Sequence, residues 1–285
     1  MTFTILGGDL RSVYLCRRML RDGFAVRTYG LELADVPDCT RRYSLADALQ
    51  DADCVVLPTP ATDGTLLRTP FGTAPLTIES VADSIPQSAR VFGGALGTQV
   101  TTALQTRNIH ALDLLTIESL AIKNAALTSQ GALRLILEHI PFHLMGRPVL
   151  IIGAGRIGKL LALQLKALGA AVTVASRKEA DKAWCTAFGL GTADTYDLAP
   201  HLPNCAVAVN TVPAPVLDSR TLSLLPHDAL LLELASKPGG FDHLRAEAMG
   251  LQVVQGGGLP GRFTPQSAAD AIAETIYTEL EGFYG

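Results

Sequence analysis

The chain is 285 residues long, about twice the ~150 that one domain takes, so two domains with sizeable cores are expected and a single disordered chain is excluded. Hydrophobic residues make up 48% and charged residues only 18%, an apolar balance that leaves surface to meet a second copy, with a twofold dimer the expected form. Lys and Arg number 23 against 27 Asp and Glu, a net charge of −4, so no bulk attraction draws the chain to nucleic acid or an anionic membrane.

Short apolar runs alternate with longer stretches of helical period, the sign of βαβ units and a mainly parallel sheet, and the pattern occurs twice. In the first half Phe3 to Gly7 reads as a strand, Leu10 to Leu20 as a helix stopped by Gly23, Phe24 to Tyr29 as a strand and Leu45 to Gln50 as a short helix. Cys54 to Leu57 is a third strand, ended by Pro58 and Pro60 because proline cannot donate to a ladder. Thr59 to Pro75, rich in threonine, glycine and proline, is expected to form an ordered loop or lid over the strand ends. Arg90 to Phe92 resumes the sheet and Gly93-Gly94 ends it. Thr128 is expected to cap a connecting helix from Ser129 to about Ile140, stopped by Pro141.

The second half is the cleaner case, with Val149 to Ile152 as strand, Ile157 to Leu168 as helix, Gly169 as its stop and Ala171 to Ala175 as strand. Cys205 to Val209 and Ala229 to Leu234 follow as strands, each ending in a loop of small and polar residues. Gly256 to Gly261 reads as a third such loop. Thr264-Pro265, a cap followed by proline at the first helical position, opens an amphipathic helix to about Glu281. The apolar runs are far shorter than the ~20 residues that cross a bilayer. The N-terminus opens directly into a strand without a secretory pattern, and the five cysteines are odd in number with no C-x-x-C pair. A cytoplasmic protein with reduced thiols is expected.

Gly153-Ala154-Gly155-Arg156-Ile157-Gly158 matches G-x-G-x-x-G directly after an apolar strand and before a helical pattern. The first glycine makes the tight turn, the second lets a pyrophosphate approach the backbone and the third lets helix and strand pack closely. The helix start supplies orphan N–H groups to the phosphates. At the end of the next strand, where a carboxylate would hold the ribose hydroxyls of NAD, stand Ser176-Arg177-Lys178, with no acid until Glu179. A hydroxyl and two cations suit a 2′-phosphate, so NADP is the expected cofactor. Thr211-Val212-Pro213, after Asn210, and Ala235-Ser236, before Lys237, end two further strands where the nicotinamide half would rest.

The expected fold is therefore α/β with two domains. An N-terminal Rossmann-like or flavodoxin-like parallel sheet spans 1–127, a connecting helix 128–145 and an NADP-binding Rossmann domain 146–264, with a C-terminal helix, 265–285, packing back on the N-terminal domain.

The whole chain resembles the family formed by the A subunits of dipicolinate synthase. The resemblance is carried by Gly7-Gly8-Asp9-Leu10-Arg11, Leu57-Pro58 with Ala61-Thr62-Asp63-Gly64, the glycine fingerprint, Asn210-Thr211-Val212-Pro213, Ala235-Ser236-Lys237-Pro238-Gly239-Gly240 and Gly258-Leu259-Pro260-Gly261. It implies NADP-linked oxidation of dihydrodipicolinate to pyridine-2,6-dicarboxylate in spore-forming bacteria, with a second, flavoprotein-like B subunit as partner. For the small dicarboxylate it nominates Asp9, Arg11, Thr59, Ala61, Thr62, Gly93, Gly94, Thr128, Lys237, Gly258, Pro260 and Gly261, with Arg11 or Lys237 as the cation. Where the family shows Thr-x-Glu-Gly, this chain has Thr128-Ser129-Gln130-Gly131, so no general base is assigned.

Three other readings are open. A shikimate-dehydrogenase-like enzyme needs a lysine in its substrate domain, and Lys123 is the only one before Lys159. A hydroxyacid-dehydrogenase-like enzyme needs a histidine paired with a carboxylate, and His201 and His227 both sit beside prolines in connecting segments. A non-catalytic NADP-binding partner protein accounts for the apolar composition and the shortage of acid-base residues. No metal is expected: His139 and His143 are four apart, but Pro141 breaks the helix that would align them.

Overall fold

The computed structural model describes residues 1–284. It divides into two compact units, one of residues 1–124 together with the segment from Pro260 onward, the other of Ala125–Leu259.

In the first unit, strands β1 (Thr2–Leu6), β2 (Ala25–Tyr29) and β3 (Cys54–Val56) alternate with helices α1 (Leu10–Arg21) and α2 (Leu45–Leu49). A two-stranded hairpin follows, β4 (Thr62–Asp63) with β5 (Leu66–Leu67), then α3 (Ile78–Ser84), β6 (Arg90–Gly93), α4 (Gly97–Gln105) and β7 (Ala111–Asp113). The main sheet is parallel, in the order β2-β1-β3-β6-β7. The threonine-rich segment after β3 thus contains a hairpin of its own, turning at Gly64 with φ +76°, which a residue with a side chain rarely adopts. Val13, Cys16 and Met19 give α1 one apolar face. It packs against α11 (Pro265–Tyr284), whose Ala269, Ile272, Ala273, Ile276 and Leu280 recur at helical spacing. Phe3, Phe24 and Tyr277 close the cluster, with Phe24 5.1 Å from Phe3 and 5.2 Å from Tyr277 between ring centres.

The connecting helix, α5 (Glu118–His139), starts ten residues before the expected Thr128 cap. Nothing between Ile117 and Pro141 breaks a helix, so Thr128 sits in its interior, 8% exposed, and caps nothing. The second unit continues with β8 (Pro148–Ile152), α6 (Arg156–Ala167), β9 (Ala171–Ala175), α7 (Glu179–Ala187) and β10 (Gly191–Ala193). Then come β11 (Val207–Asn210), α8 (Ser219–Leu222), β12 (Leu230–Glu233), α9 (His243–Ala248) and β13 (Gln252–Gln255). All six strands are parallel, in the order β10-β9-β8-β11-β12-β13. That order, two halves diverging from β8 and β11, is the doubly wound arrangement that binds nucleotides at its switch point. β8, and β11 and β12 up to their last residues Asn210 and Glu233, read as apolar runs because they are central strands of a parallel sheet, the kind buried on both faces.

A second expectation also needs correction. Gly256 to Gly261 is not one loop: Gly258 turns with φ +64°, and Leu259–Phe263 then forms the short helix α10. Pro260 and Gly261 lie inside it, since proline in a first helical turn forfeits no intrahelical bond.

Candidate functional site

The carboxyl ends of the second unit's strands open on a cavity of about 930 Å³, at the upper end of the ~300–1,000 Å³ usual for small-molecule and cofactor sites. Its floor is the turn between β8 and α6. Gly153 adopts φ +106°, and a Cβ at Gly158 would overlap the Gly153 carbonyl oxygen, so both positions require glycine. Gly155 is the N-cap of α6, no side chain caps it, and no atom lies within 4 Å of where its Cβ would be. The helix therefore presents uncapped N–H groups and its positive end to open space, a setting for phosphate.

One end of the cavity is built by the loop after β9. Ser176 is buried, with Oγ accepting from Lys178 N at 3.2 Å and donating to Asp181 Oδ2 at 3.3 Å. Lys159, from the first turns of α6, donates to Asp181 Oδ1 at 2.7 Å while its Nζ lies 5.2 Å from the Trp184 ring centre. The Lys159 hydrogen bond is the main cause that holds the Asp181 carboxyl below the usual carboxylate range. Arg177 is exposed and hydrogen-bonded to Tyr196, which raises its affinity for its proton further. Arg156, Lys159, Arg177 and Lys178 together outnumber the lining carboxylates, Asp181 and Asp218, and Asp181 is already neutralised by Lys159.

Among the expected cofactor residues, Gly153, Gly155 and Arg156 line the cavity, as do Ser176, Arg177 and Lys178 on one side and Thr211, Val212 and Pro213 on another. Ile157 and Gly158 lie in α6 beyond the lining, and Ala235 and Ser236 are also outside it, in the loop after β12. Lys159, Asp181 and Tyr196 join the site without having been expected there. The spacing of Asp181 on α7 was the available signal, one turn past Lys178.

The first unit gathers several of the other nominated residues. Gly8 N donates to Arg68 O at 2.8 Å, Arg68 N to Ala61 O at 3.0 Å, and Ala61 N to Gly94 O at 2.9 Å, which ties the turn after β1 to those after β3 and β6. Arg11 makes a two-pronged pair with Asp9, Nε to Oδ1 at 2.9 Å and Nη2 to Oδ2 at 2.8 Å, and also donates to Thr59 O. Burial pushes the Asp9 carboxyl up, but the bonds and charge of Arg11 outweigh it and the net shift is downward. Gly261 has no room for a side chain because Asp9 and Arg11 fill it. Thr62 stands in β4, Gly93 ends β6, and Thr128, Lys237 and Gly258 belong to the other unit. Arg11, 6% exposed, is committed to internal partners, whereas Lys237 is exposed. Gln130 is on an exposed face of α5.

Residues 2–115 match the model of the N-terminal domain of the dipicolinate synthase A subunit, and residues 100–236 that of the D-isomer specific 2-hydroxyacid dehydrogenase NAD-binding domain. The dipicolinate synthase A subunit of Bacillus subtilis (strain 168) is 27% identical over 280 residues, 97% of this chain and 94% of that protein. The crystal structure of the Bacillus subtilis protein matches with a TM-score of 0.86 over 99% of this chain and 96% of that one, at 27% identity. Its counterpart from Bacillus halodurans matches at 0.88, also 27% identical, over 98% and 97%. D-lactate dehydrogenase from Escherichia coli, 11% identical with a TM-score of 0.62, shares the fold. The second unit is thus a nicotinamide dinucleotide-binding domain and the chain a dehydrogenase-like oxidoreductase component. No helix among the described residues is long and apolar enough to cross a membrane, and no group of metal-binding side chains is found among them.

Proposed function

From a chain whose likeness to the dipicolinate synthase A subunit runs its whole length, we propose that it oxidises dihydrodipicolinate to dipicolinate with NADP, together with a second, flavoprotein-like subunit. The observation that carries the cofactor choice is the loop Ser176-Arg177-Lys178, which shares one cavity with the uncapped start of α6. Asp181, the carboxylate that lines the cavity beside this loop, is held by Lys159 and so does not repel a 2′-phosphate.

When bound, oxidised NADP supplies the acceptor for the hydride that leaves the dihydropyridine ring. The chain's own residues do the rest. The N–H groups at the start of α6 hold the pyrophosphate, Arg177 and Lys178 the 2′-phosphate, and Thr211 to Pro213 form a stiff wall beside the nicotinamide. Lys237 is the exposed cation available to a dicarboxylate. Two hydrogens leave the ring, one as hydride and one as a proton. Gln130 cannot take that proton, and aromatisation drives its release to water without a strong protein base.

Titration of the purified chain tests the cofactor. NADPH should bind at least about tenfold more tightly than NADH, the worth of one charge-assisted contact, and Arg177→Asp should narrow or invert the ratio. Equal affinities in the unmodified chain would sink the NADP reading. Turnover measured with and without the partner subunit separates a catalytic chain from a merely binding one.

A further inference from the structure

A polar row crosses the ends of three adjacent strands in the second unit. Asn210, Glu233 and Gln255 are the last residues of β11, β12 and β13 and stand directly opposite one another in register, Asn210 beside Glu233 and Glu233 beside Gln255. In the same layer β8 and β9 contribute only Ile152 and Ala175. The half of the sheet that carries the adenosine end of a dinucleotide is apolar in this layer, and the half that carries the nicotinamide end is polar.

Asn210 and Glu233 are wired to each other and to the loops that follow them. Glu233, 5% exposed, accepts from Asn210 Nδ2 at 2.7 Å, from its own loop at Ala235 N, 2.9 Å, and from Gly240 N at 2.7 Å. Asn210, fully buried, donates to Val212 O at 2.9 Å and accepts from Val212 N at 3.1 Å. Gly240 O accepts from Val216 N and Leu217 N, at 2.8 and 3.0 Å. A Cβ at Gly240 would overlap the Asn210 amide. Gln255 Nε2 lies 2.8 Å from His243 Nδ1, and since an amide nitrogen only donates, the hydrogen of a neutral ring sits on Nε2, facing Glu233 Oε2 at 3.6 Å. The ring stacks on Phe241 with centres 4.6 Å apart. A buried carboxylate with unfilled acceptor sites would be expensive, so these donors explain how it is tolerated.

None of these polar side chains lines the cavity, yet Val212, bonded to Asn210, and Val216 and Leu217, bonded to the Gly240 that Glu233 holds, do. We propose that Glu233, acting through Asn210 and Gly240, is the positioning residue that shapes the nicotinamide end of the cavity. The proposal rests on the dinucleotide reading above and adds a division of labour to it. Arg177 and Lys178 serve the adenosine end, and the Asn210–Glu233 pair sets the other without touching the cofactor.

Two probes separate the ends in the full-length chain: 2′,5′-ADP, which carries only the adenosine half, and NADPH, whose nicotinamide fluorescence reports its own surroundings. Glu233→Gln replaces one acceptor oxygen with a donor that faces another donor. It should weaken NADPH binding about tenfold, the loss of one hydrogen bond to a charged group, and abolish most of the fluorescence change on binding. Affinity for 2′,5′-ADP should stay within about twofold. Should Glu233→Gln fail to fold, Asn210→Ser removes the bridge to the β11 loop from the other side and should show the same split. Equal weakening of both probes, or no change in either, overturns the proposal. If the unmodified chain binds neither probe, the dinucleotide reading itself fails, and that outcome is visible before any substitution is made.

Discussion

Two strand-turn-helix junctions occupy the same place in the two units, one between β1 and α1 and the other between β8 and α6, and they are finished in opposite ways. At the first, Asp9 is the N-cap, its carboxylate accepts from Arg11 N, and the Arg11 guanidinium folds back on the same carboxylate. The positive end of α1 is therefore already filled by an internal anion. At the second, Gly155 leaves the end of α6 open to the cavity. A parallel sheet offers an anion site at each such junction, and a single residue at the cap decides whether the protein or a ligand supplies the anion.

The largest expected effect comes from breaking the filled junction. Arg11→Ala strands a carboxylate that is 19% exposed, and removing one partner of such a pair typically costs about 3–5 kcal/mol. Arg177→Ala, on the exposed loop after β9 that lines the same cavity as the open junction, should leave the unfolding midpoint nearly unchanged. Urea unfolding of the two variants checks the contrast. Similar midpoints for both would mean that the Asp9–Arg11 pair is not what completes the first turn.

Within the open junction two glycines separate packing from binding. Gly158→Ala forces a methyl group into the Gly153 carbonyl and should destabilise the chain by about 1–3 kcal/mol. Gly155→Ala meets no protein atom, so its stability change should be about 1 kcal/mol or less, yet its methyl group occupies the space where phosphate would approach. Dinucleotide affinity should fall at least about tenfold in Gly155→Ala. Undiminished affinity there would place the phosphates elsewhere.

The open junction was legible in the sequence and the filled one was not, for a physical reason. Gly153, Gly155 and Gly158 act locally, through turn geometry and close packing that fixed spacing reveals. Asp9 and Arg11 read as substrate contacts, because nothing in a linear spacing says that the guanidinium turns back on its neighbour. The same limit hid the Asn210–Glu233–Gln255 row, whose members come together only once strand order and register are known. A signal did exist: the apolar runs of β11 and β12 each end on one polar residue, Asn210 and Glu233. The strand cores were easy because burial on both faces leaves unbroken apolar runs. The hairpin at Thr62, the start of α5 and the helix at Leu259 depend on contacts or on the absence of a breaker, and motif spacing carries little of either.

The smallest expected effects come from the acid limb, where one lowered carboxyl stands at the first junction and another, on α7, is paired with Lys159 of the second. Burial raises Asp9 but Arg11 more than compensates, and Lys159 lowers Asp181. A carboxyl lowered in the folded state adds stability that is fully present above its unfolded value of about 4 and is lost as pH falls through the folded one. Asp9→Asn and Asp181→Asn should therefore both flatten the loss of stability below about pH 4 and leave its shape near pH 7 unchanged. Asp181 should contribute less, under about 1 kcal/mol, because its pair with Lys159 is about a quarter exposed on each side and is screened by solvent. Asp181→Asn also frees Lys159 beside the expected 2′-phosphate. NADPH affinity should then rise, by no more than about fivefold, which is what 1 kcal/mol allows. A fall in NADPH affinity would show instead that the Lys159–Asp181 pair orders the loop, and the contrast between a filled and an open junction would then need a third class, one that is braced from the side.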